Sequence, residues 1–258
     1  MDSKKKVNLI RMEDGVASEV VDSAASEDPL AVYVNGVELV TLLYTPPMAL
    51  ELAVGYMLSE GLITKKADVA SVSLKKGGVA VTLARGLPGA ETPAARVLTS
   101  GCGGGISFTY PQGLKGINKL TSGLTVSHHA ITALAGRFRG ESRLFTETGG
   151  VHSAALSDGL GFIAFAEDIG RHNAVDKVFG RCLMEGIETR DRLLLTTGRI
   201  SSEILLKAAK RGVPVVVSRG APTALAVELA LRFGVTIAGF VRGRRMNIYT
   251  HPERILPA

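Results

Sequence analysis

Between residues 193 and 241 the chain alternates short apolar runs with amphipathic segments, and few folds accept that rhythm. Leu193-Leu194-Leu195, Val213 to Val217 and Val235 to Val241 are apolar stretches of strand length. The segments Ser202 to Lys210 and Thr223 to Phe233 separate them and read as helices. A strand without polar alternation is buried on both faces, and parallel neighbours need a crossover of helix length. The pattern therefore predicts a sheet with a parallel centre, covered on both sides. Upstream, Ser127 is placed to cap a helix carrying Ile131, Leu134, Ala135 and Phe138 on one face. Val151 to Leu156 and Leu160 to Ala166 read as strands around Asp158-Gly159. Asn173 to Glu185 reads as a helix with Ala174, Val175, Val178, Phe179 and Leu183 turned inward.

The first third has a different pattern. Ala31 to Val34 and Val37 to Tyr44 flank Asn35-Gly36, the pair that supplies two positive φ angles to a tight hairpin turn. Val69 to Leu74 and Val79 to Leu83 flank Lys75-Lys76-Gly77-Gly78 as a second hairpin. Thr45-Pro46-Pro47 reads as a helix start, with Thr45 as its cap, Pro46 in its first turn and Gly61 at its end. Residues 1–26 are polar without sustained periodicity and predict a flexible N-terminal arm. Residues 86–118 are rich in Gly, Pro, Thr and Ser, and predict a long loop around Gly101-Cys102-Gly103-Gly104-Gly105. The expected organisation is an arm (1–26), a smaller, mainly antiparallel β-rich lobe ending in the Cys102 loop (27–120), and an α/β lobe (121–258).

Composition removes several classes of function. No apolar run approaches the ~18 residues of a membrane helix. The basic start Met1-Asp2-Ser3-Lys4-Lys5-Lys6 has no apolar stretch after it, so no secretory signal is expected. Two cysteines, Cys102 and Cys182, suit a reducing cytoplasm and can build neither a disulfide framework nor a four-cysteine zinc site. A formal net charge of +6 points to an anionic partner. Aromatics at 5% and the lack of any nucleic-acid motif argue against nucleic acid and favour a small phosphorylated ligand or an acidic protein. Neither His-Glu-x-x-His nor the zinc-deaminase signature is present, so no metal site is expected.

In open parallel sheets, ligands bind beyond the carboxyl ends of the strands. Those ends here carry Thr196-Thr197-Gly198-Arg199, Ser218-Arg219-Gly220 and Arg242-Gly243-Arg244-Arg245. Each sets arginine, a planar donor fork suited to phosphate, beside a glycine that admits a ligand close to the backbone. Any one such loop is ordinary surface; three on one rim make a candidate anion site. Cys102 lies on no apolar periodic face, whereas Cys182 lies on a helical one beside Leu183. Cys102 is either a passive loop residue or a nucleophile whose thiolate the surrounding backbone N–H groups stabilise. His152 and His172 each follow a glycine-rich stretch and could orient a ligand or serve as structural hydrogen-bonding groups.

Several segments together resemble the FdhD family, formate dehydrogenase accessory proteins that act as sulfur carriers. They are Ser100 to Gly105, Glu147 to His152, Glu167 to Lys177, Thr197 to Glu203, Ser218 to Thr223 and Gly239 to Thr250, and the likeness covers nearly all of the chain after about residue 27. The resemblance implies a cytidine deaminase-like α/β lobe, a homodimer, and a sulfurtransferase that accepts sulfane sulfur from a cysteine desulfurase. The recipient is the molybdenum bis(molybdopterin guanine dinucleotide) cofactor, bound as substrate before it enters formate dehydrogenase. Cys102 matches the family's persulfide-bearing cysteine. Phe240, Val241, Arg242, Gly243, Arg244 and Arg245 match the segment assigned to cofactor binding; Arg199 and Arg219 join them on strand-end placement alone. Some members carry a second cysteine three positions on, where this chain has Gly105, so a two-thiol relay is not expected. The rival reading is a non-catalytic chaperone that only binds and delivers the cofactor.

Overall fold

The structure, a computed structural model, describes residues 2–86, 96–98 and 117–257. A ribbon of β1 (Lys4–Glu13) and β2 (Val16–Ala25) comes first. A five-stranded sheet follows, built from β3 (Asp28–Val34), β4 (Val37–Tyr44), β5 (Val69–Lys75), β6 (Gly78–Leu83) and β7 (Arg96–Leu98), in the order β5-β6-β3-β4-β7. Helix α1 (Ala49–Glu60) leaves β4 and packs against this sheet. As predicted, Asn35 and Gly36 both take positive φ in the β3–β4 turn, and Gly61 closes α1 in the left-handed region.

After β8 (Val126–Ser127) come α2 (His128–Glu141), α3 (Arg143–Thr148), β9 (His152–Ser157), β10 (Phe162–Asp168) and α4 (Arg171–Glu185). The alternating part is β11 (Leu193–Thr196), α5 (Ser202–Lys210), β12 (Val215–Ser218), α6 (Ala224–Phe233) and β13 (Thr236–Arg242). β14 (Arg245–Thr250) folds back on β13, and β15 (Ile255–Leu256) pairs with β8. The main sheet runs β10-β9-β11-β12-β13-β14, with β11, β12 and β13 parallel and the flanking strands antiparallel. Its two faces divide residue by residue. Leu194, Val216 and Ile237 join a core with α1, α4, α5 and α6, while Leu193, Leu195, Val215 and Val217 join one with α2. Ser127 caps α2 by accepting the Ala130 N–H.

Three expectations are corrected. Residues 4–25, expected as part of a flexible arm, form a hairpin of two ten-residue strands; both its faces are largely exposed, so no inward–outward alternation marks them. The smaller sheet is mixed rather than mainly antiparallel, because β6 and β7 join β3 and β4 in parallel. Thr45 does not cap α1. Its hydroxyl donates to the Ser26 carbonyl and its N–H to Asp168, and Met48 stands at the helix start.

The two sheets share one core cluster, joined where α1 crosses α4. At that crossing the backbones touch. A Cβ on Gly55 would lie 1.8 Å from the Asp176 carbonyl oxygen, and one on Gly180 1.8 Å from that of Glu51. No rotamer relieves a clash between Cβ and backbone, so the helices must separate to admit one. Gly180→Ala should therefore cost about 3 kcal/mol or more, read as a lower urea midpoint with an unchanged m-value.

Candidate functional site

β11, β12 and β13 are parallel, so their carboxyl ends share one rim. β9 runs antiparallel to β11, and its first residue, His152, therefore belongs to the same rim. The loops there are tied to one another. Ser218 Oγ donates to the Gly198 carbonyl at 2.6 Å and accepts the Gly220 N–H at 2.9 Å. The Ile200 N–H donates to the Ala221 carbonyl and the Phe240 N–H to the Gly220 carbonyl. A Cβ on Gly220 would approach the Gly198 carbonyl oxygen to 3.1 Å, so glycine permits this closeness.

The rim borders a cleft of about 600 Å³. Thr197, Arg219, Gly220 and Arg242 line one part; Arg139 of α2, Phe145 of α3 and the run Gly149-Gly150-Val151-His152 line another. α3 is fixed from below, because Glu167 of β10 accepts the Leu144 and Phe145 N–H groups at 3.1 and 3.0 Å. Among the described residues three arginines line the cleft and no carboxylate does, so it favours anions; its aromatic residues suit an attached ring.

Of the predicted residues, Arg219 and Arg242 line this cleft. Arg199 is exposed beyond β11 and is not among the lining groups, nor are Arg244 and Arg245, which are exposed at the β13–β14 turn with Gly243. Val241 is 1% exposed and packs in the α2-side core, so its side chain does not face solvent. Phe240 is exposed and sits at φ 52°, held by Gly220. Cys102 lies outside the described residues. Arg139 and Phe145 escaped sequence reading, since on a helix surface nothing marks them as different from solvated residues. Cys182 is buried, and burial pushes its thiol up to about 12.

Behind the rim lies a polar cluster. His152 Nδ1 is 3.2 Å from Thr197 Oγ1, and burial together with the Arg171 charge holds its pKa below the ordinary histidine value. His172 is pulled down to about 3, by burial first and then by Lys207, Arg171 and His152. Its 3.3 Å contact with Glu203 thus sets a neutral imidazole against the carboxyl group and is not an ion pair. Burial raises the Glu203 pKa. Among the described residues no three His, Cys, Asp or Glu side chains gather as metal ligands, and no helix is long and apolar enough to cross a membrane.

The fold and cleft define a mixed α/β protein with an arginine-lined cleft at the rim of a sheet whose centre is parallel. The sequence model of the FdhD/NarQ family matches residues 25–256, and the chain belongs to that family. It is 41% identical over 251 residues to "Sulfur carrier protein FdhD" of Staphylococcus aureus strain MRSA252, and equally so to that of strain Newman, covering 96% of this chain and 95% of each relative. A crystal structure of a candidate formate dehydrogenase accessory protein from Desulfotalea psychrophila superposes with a TM-score of 0.83 at 26% identity, over 98% of this chain and all of the other.

The pH behaviour of His172 tests the cluster. In the unfolded chain it titrates near 6.5, and in the fold near 3. Between those values the unfolded state binds more protons, so stability falls as the pH drops. The loss attributable to His172 should reach up to about 3 kcal/mol between roughly pH 6.5 and 4.5, partly offset by Glu203, whose raised pKa acts in the opposite sense. His172→Gln should flatten the urea-midpoint profile over that range.

Proposed function

We propose that the chain is a sulfur carrier in the maturation of a formate dehydrogenase. Its relatives bear the names sulfur carrier protein and formate dehydrogenase accessory protein, and membership of their family supports the role. In this reading Cys102 accepts sulfane sulfur from a cysteine desulfurase. The Cys102 thiolate attacks the terminal sulfur of the donor's persulfide, the donor's S–S bond breaks, and its cysteine leaves as a thiolate. The S–S bond of the new persulfide then breaks, Cys102 leaves as a thiolate, and the outer sulfur goes at the sulfane level to the molybdenum bis(molybdopterin guanine dinucleotide), which is substrate here rather than resident cofactor and would supply the two electrons that reduce it to sulfide. The chain thus acts as a cytoplasmic sulfurtransferase, working as a homodimer, with an α/β lobe of cytidine deaminase-like descent.

The observation that carries the reading is the cleft at the strand ends, lined among the described residues by arginines and by no carboxylate. Phosphates of a guanine dinucleotide suit Arg219 and Arg242, with Arg139 on the facing helix. Arg199, Arg244 and Arg245 stand outside that lining and would add long-range attraction rather than contact.

Two measurements test it. Incubation with desulfurase and cysteine should add the mass of one sulfur to wild type and none to Cys102→Ala; equal gain by the variant would remove Cys102 as carrier. If Cys102→Ala still restores formate dehydrogenase activity, the protein is instead a cofactor chaperone. Arg219→Ala combined with Arg242→Ala should weaken binding of a guanine nucleotide by about 100-fold, two charge-assisted contacts being lost.

A further inference from the structure

We infer that His152 contacts the ligand in the cleft, presenting its Nε2–H to an uncharged acceptor on a nucleotide's heterocyclic ring. The inference rests on the nucleotide reading of the cleft and adds the residue that distinguishes one ring from another.

Strand order sets the geometry. Along the rim, His152, Thr197, Arg219 and Arg242 come from β9, β11, β12 and β13, which are neighbours in the sheet. At about 4.8 Å between strands, His152 stands roughly 10 Å from the strand of Arg219 and roughly 14 Å from that of Arg242. A nucleoside diphosphate laid along the rim places its phosphates on those arginines and its base toward β9. Val151 and Phe145 line the cleft beside His152, an apolar surface suited to a ring. Arg139 reaches the cleft from α2, so charge is supplied without the histidine.

Thr197 Oγ1 accepts the Ser153 N–H at 3.0 Å and lies 3.2 Å from His152 Nδ1. The proposed contact requires the tautomer in which the Thr197 hydroxyl donates to Nδ1 and the imidazole proton is on Nε2. Burial first, and then the Arg171 charge, lower the His152 pKa and so favour the neutral imidazole, against the opposing pull of Asp168. Placed at the ring rather than at the phosphates, this donor adds nothing to the binding of pyrophosphate. It penalises a ring that offers no acceptor, because a donor left unpaired against the ligand loses its water without replacement.

The test uses the full chain and two probes, GDP and inorganic pyrophosphate, titrated into wild type, His152→Phe, His152→Gln and the Arg219→Ala/Arg242→Ala variant. GDP affinity should fall about tenfold or more in His152→Phe and stay within about threefold in His152→Gln, whose amide restores a donor near Nε2. Pyrophosphate affinity should be the same in wild type and both histidine variants. If His152→Phe binds GDP like wild type while the arginine variant does not, the histidine assignment fails and the cleft reading stands. If His152→Phe weakens pyrophosphate as much as GDP, the contact is to phosphate and the ring assignment fails. If wild type binds neither probe, or the arginine variant binds both normally, the cleft reading fails and this inference with it. Should His152→Phe not fold, ¹⁵N NMR of wild type decides. An Nε2–H signal that shifts on adding GDP supports the assignment, and an Nδ1–H tautomer overturns it.

Discussion

A lysine with no solvent exposure, Lys177, fixes how the halves of this protein meet. Its ammonium lies 2.7 Å from Asp168 and donates to the carbonyls of Thr45 and Glu167 at 2.6 and 3.0 Å. Asp168 in turn accepts from the N–H groups of Thr45 and Gly170 and from the Asn173 amide. Burial pulls the Lys177 pKa down, and Asp168 opposes it. A pair so completely hydrogen-bonded repays much of its desolvation, and a single truncation would leave a bare charge inside at about 3–5 kcal/mol. An apolar pair of the same volume could be as stable. What it could not supply is direction: these bonds accept one placement of the Thr45 turn against the start of α4.

That placement governs the α1–α4 crossing and, through α4, the rim. Gly55 and Gly180 let the two helices meet backbone to backbone, and Asp176 of α4 fixes the crossing laterally by bonding both Ser59 of α1 and Lys207 of α5. The first residue of α4, Arg171, packs on Gly198, where a Cβ would lie 2.9 Å from the arginine's own Cβ. The loop after β11 is therefore held by the same helix that joins the sheets. A shift at the junction reaches Thr197, and Thr197 sets the orientation of His152. Rigid support of this kind is what a binding cleft needs to hold its donors before ligand arrives.

The parts of the fold that were legible in sequence are those where one physical demand acts alone. Leu193 to Leu195 read as a buried strand because both faces of β11 are covered, and Asn35-Gly36 read as a turn because its two positive φ angles favour such residues. The β1–β2 ribbon was not legible: with Ile10, Met12, Val16 and Val21 all 59–69% exposed, no buried face imposes a period. The smaller sheet's mixed pairing depends on partners far apart in sequence, which local patterns do not encode. At the site, the strand-end rule found Arg219 and Arg242, but it speaks of parallel strands. His152 reaches the rim from the beginning of an antiparallel strand, and its only local signal was the glycine pair before it. Arg199, Arg244 and Arg245 looked equivalent to the cleft arginines because sequence gives a loop's position but not its direction.

The two cysteines bear on the proposed chemistry in opposite ways. Cys182 faces the shared core at 1% exposure, and a thiol at about 12 is ionised on the order of once in 10⁵ molecules at pH 7. It offers neither the nucleophile nor the access that accepting a sulfur atom demands. Since the chain has only one other cysteine, sulfur carried on a thiol must be carried on Cys102. In the proposed reading the cleft gives an electrostatic reason for the two functions to share a protein. Its three lining arginines, with no carboxylate lining it among the described residues, favour phosphate, and a sulfur anion brought to the same place would meet the same field. A surface that holds a phosphorylated recipient would thereby also favour the charged form of the group that reacts with it.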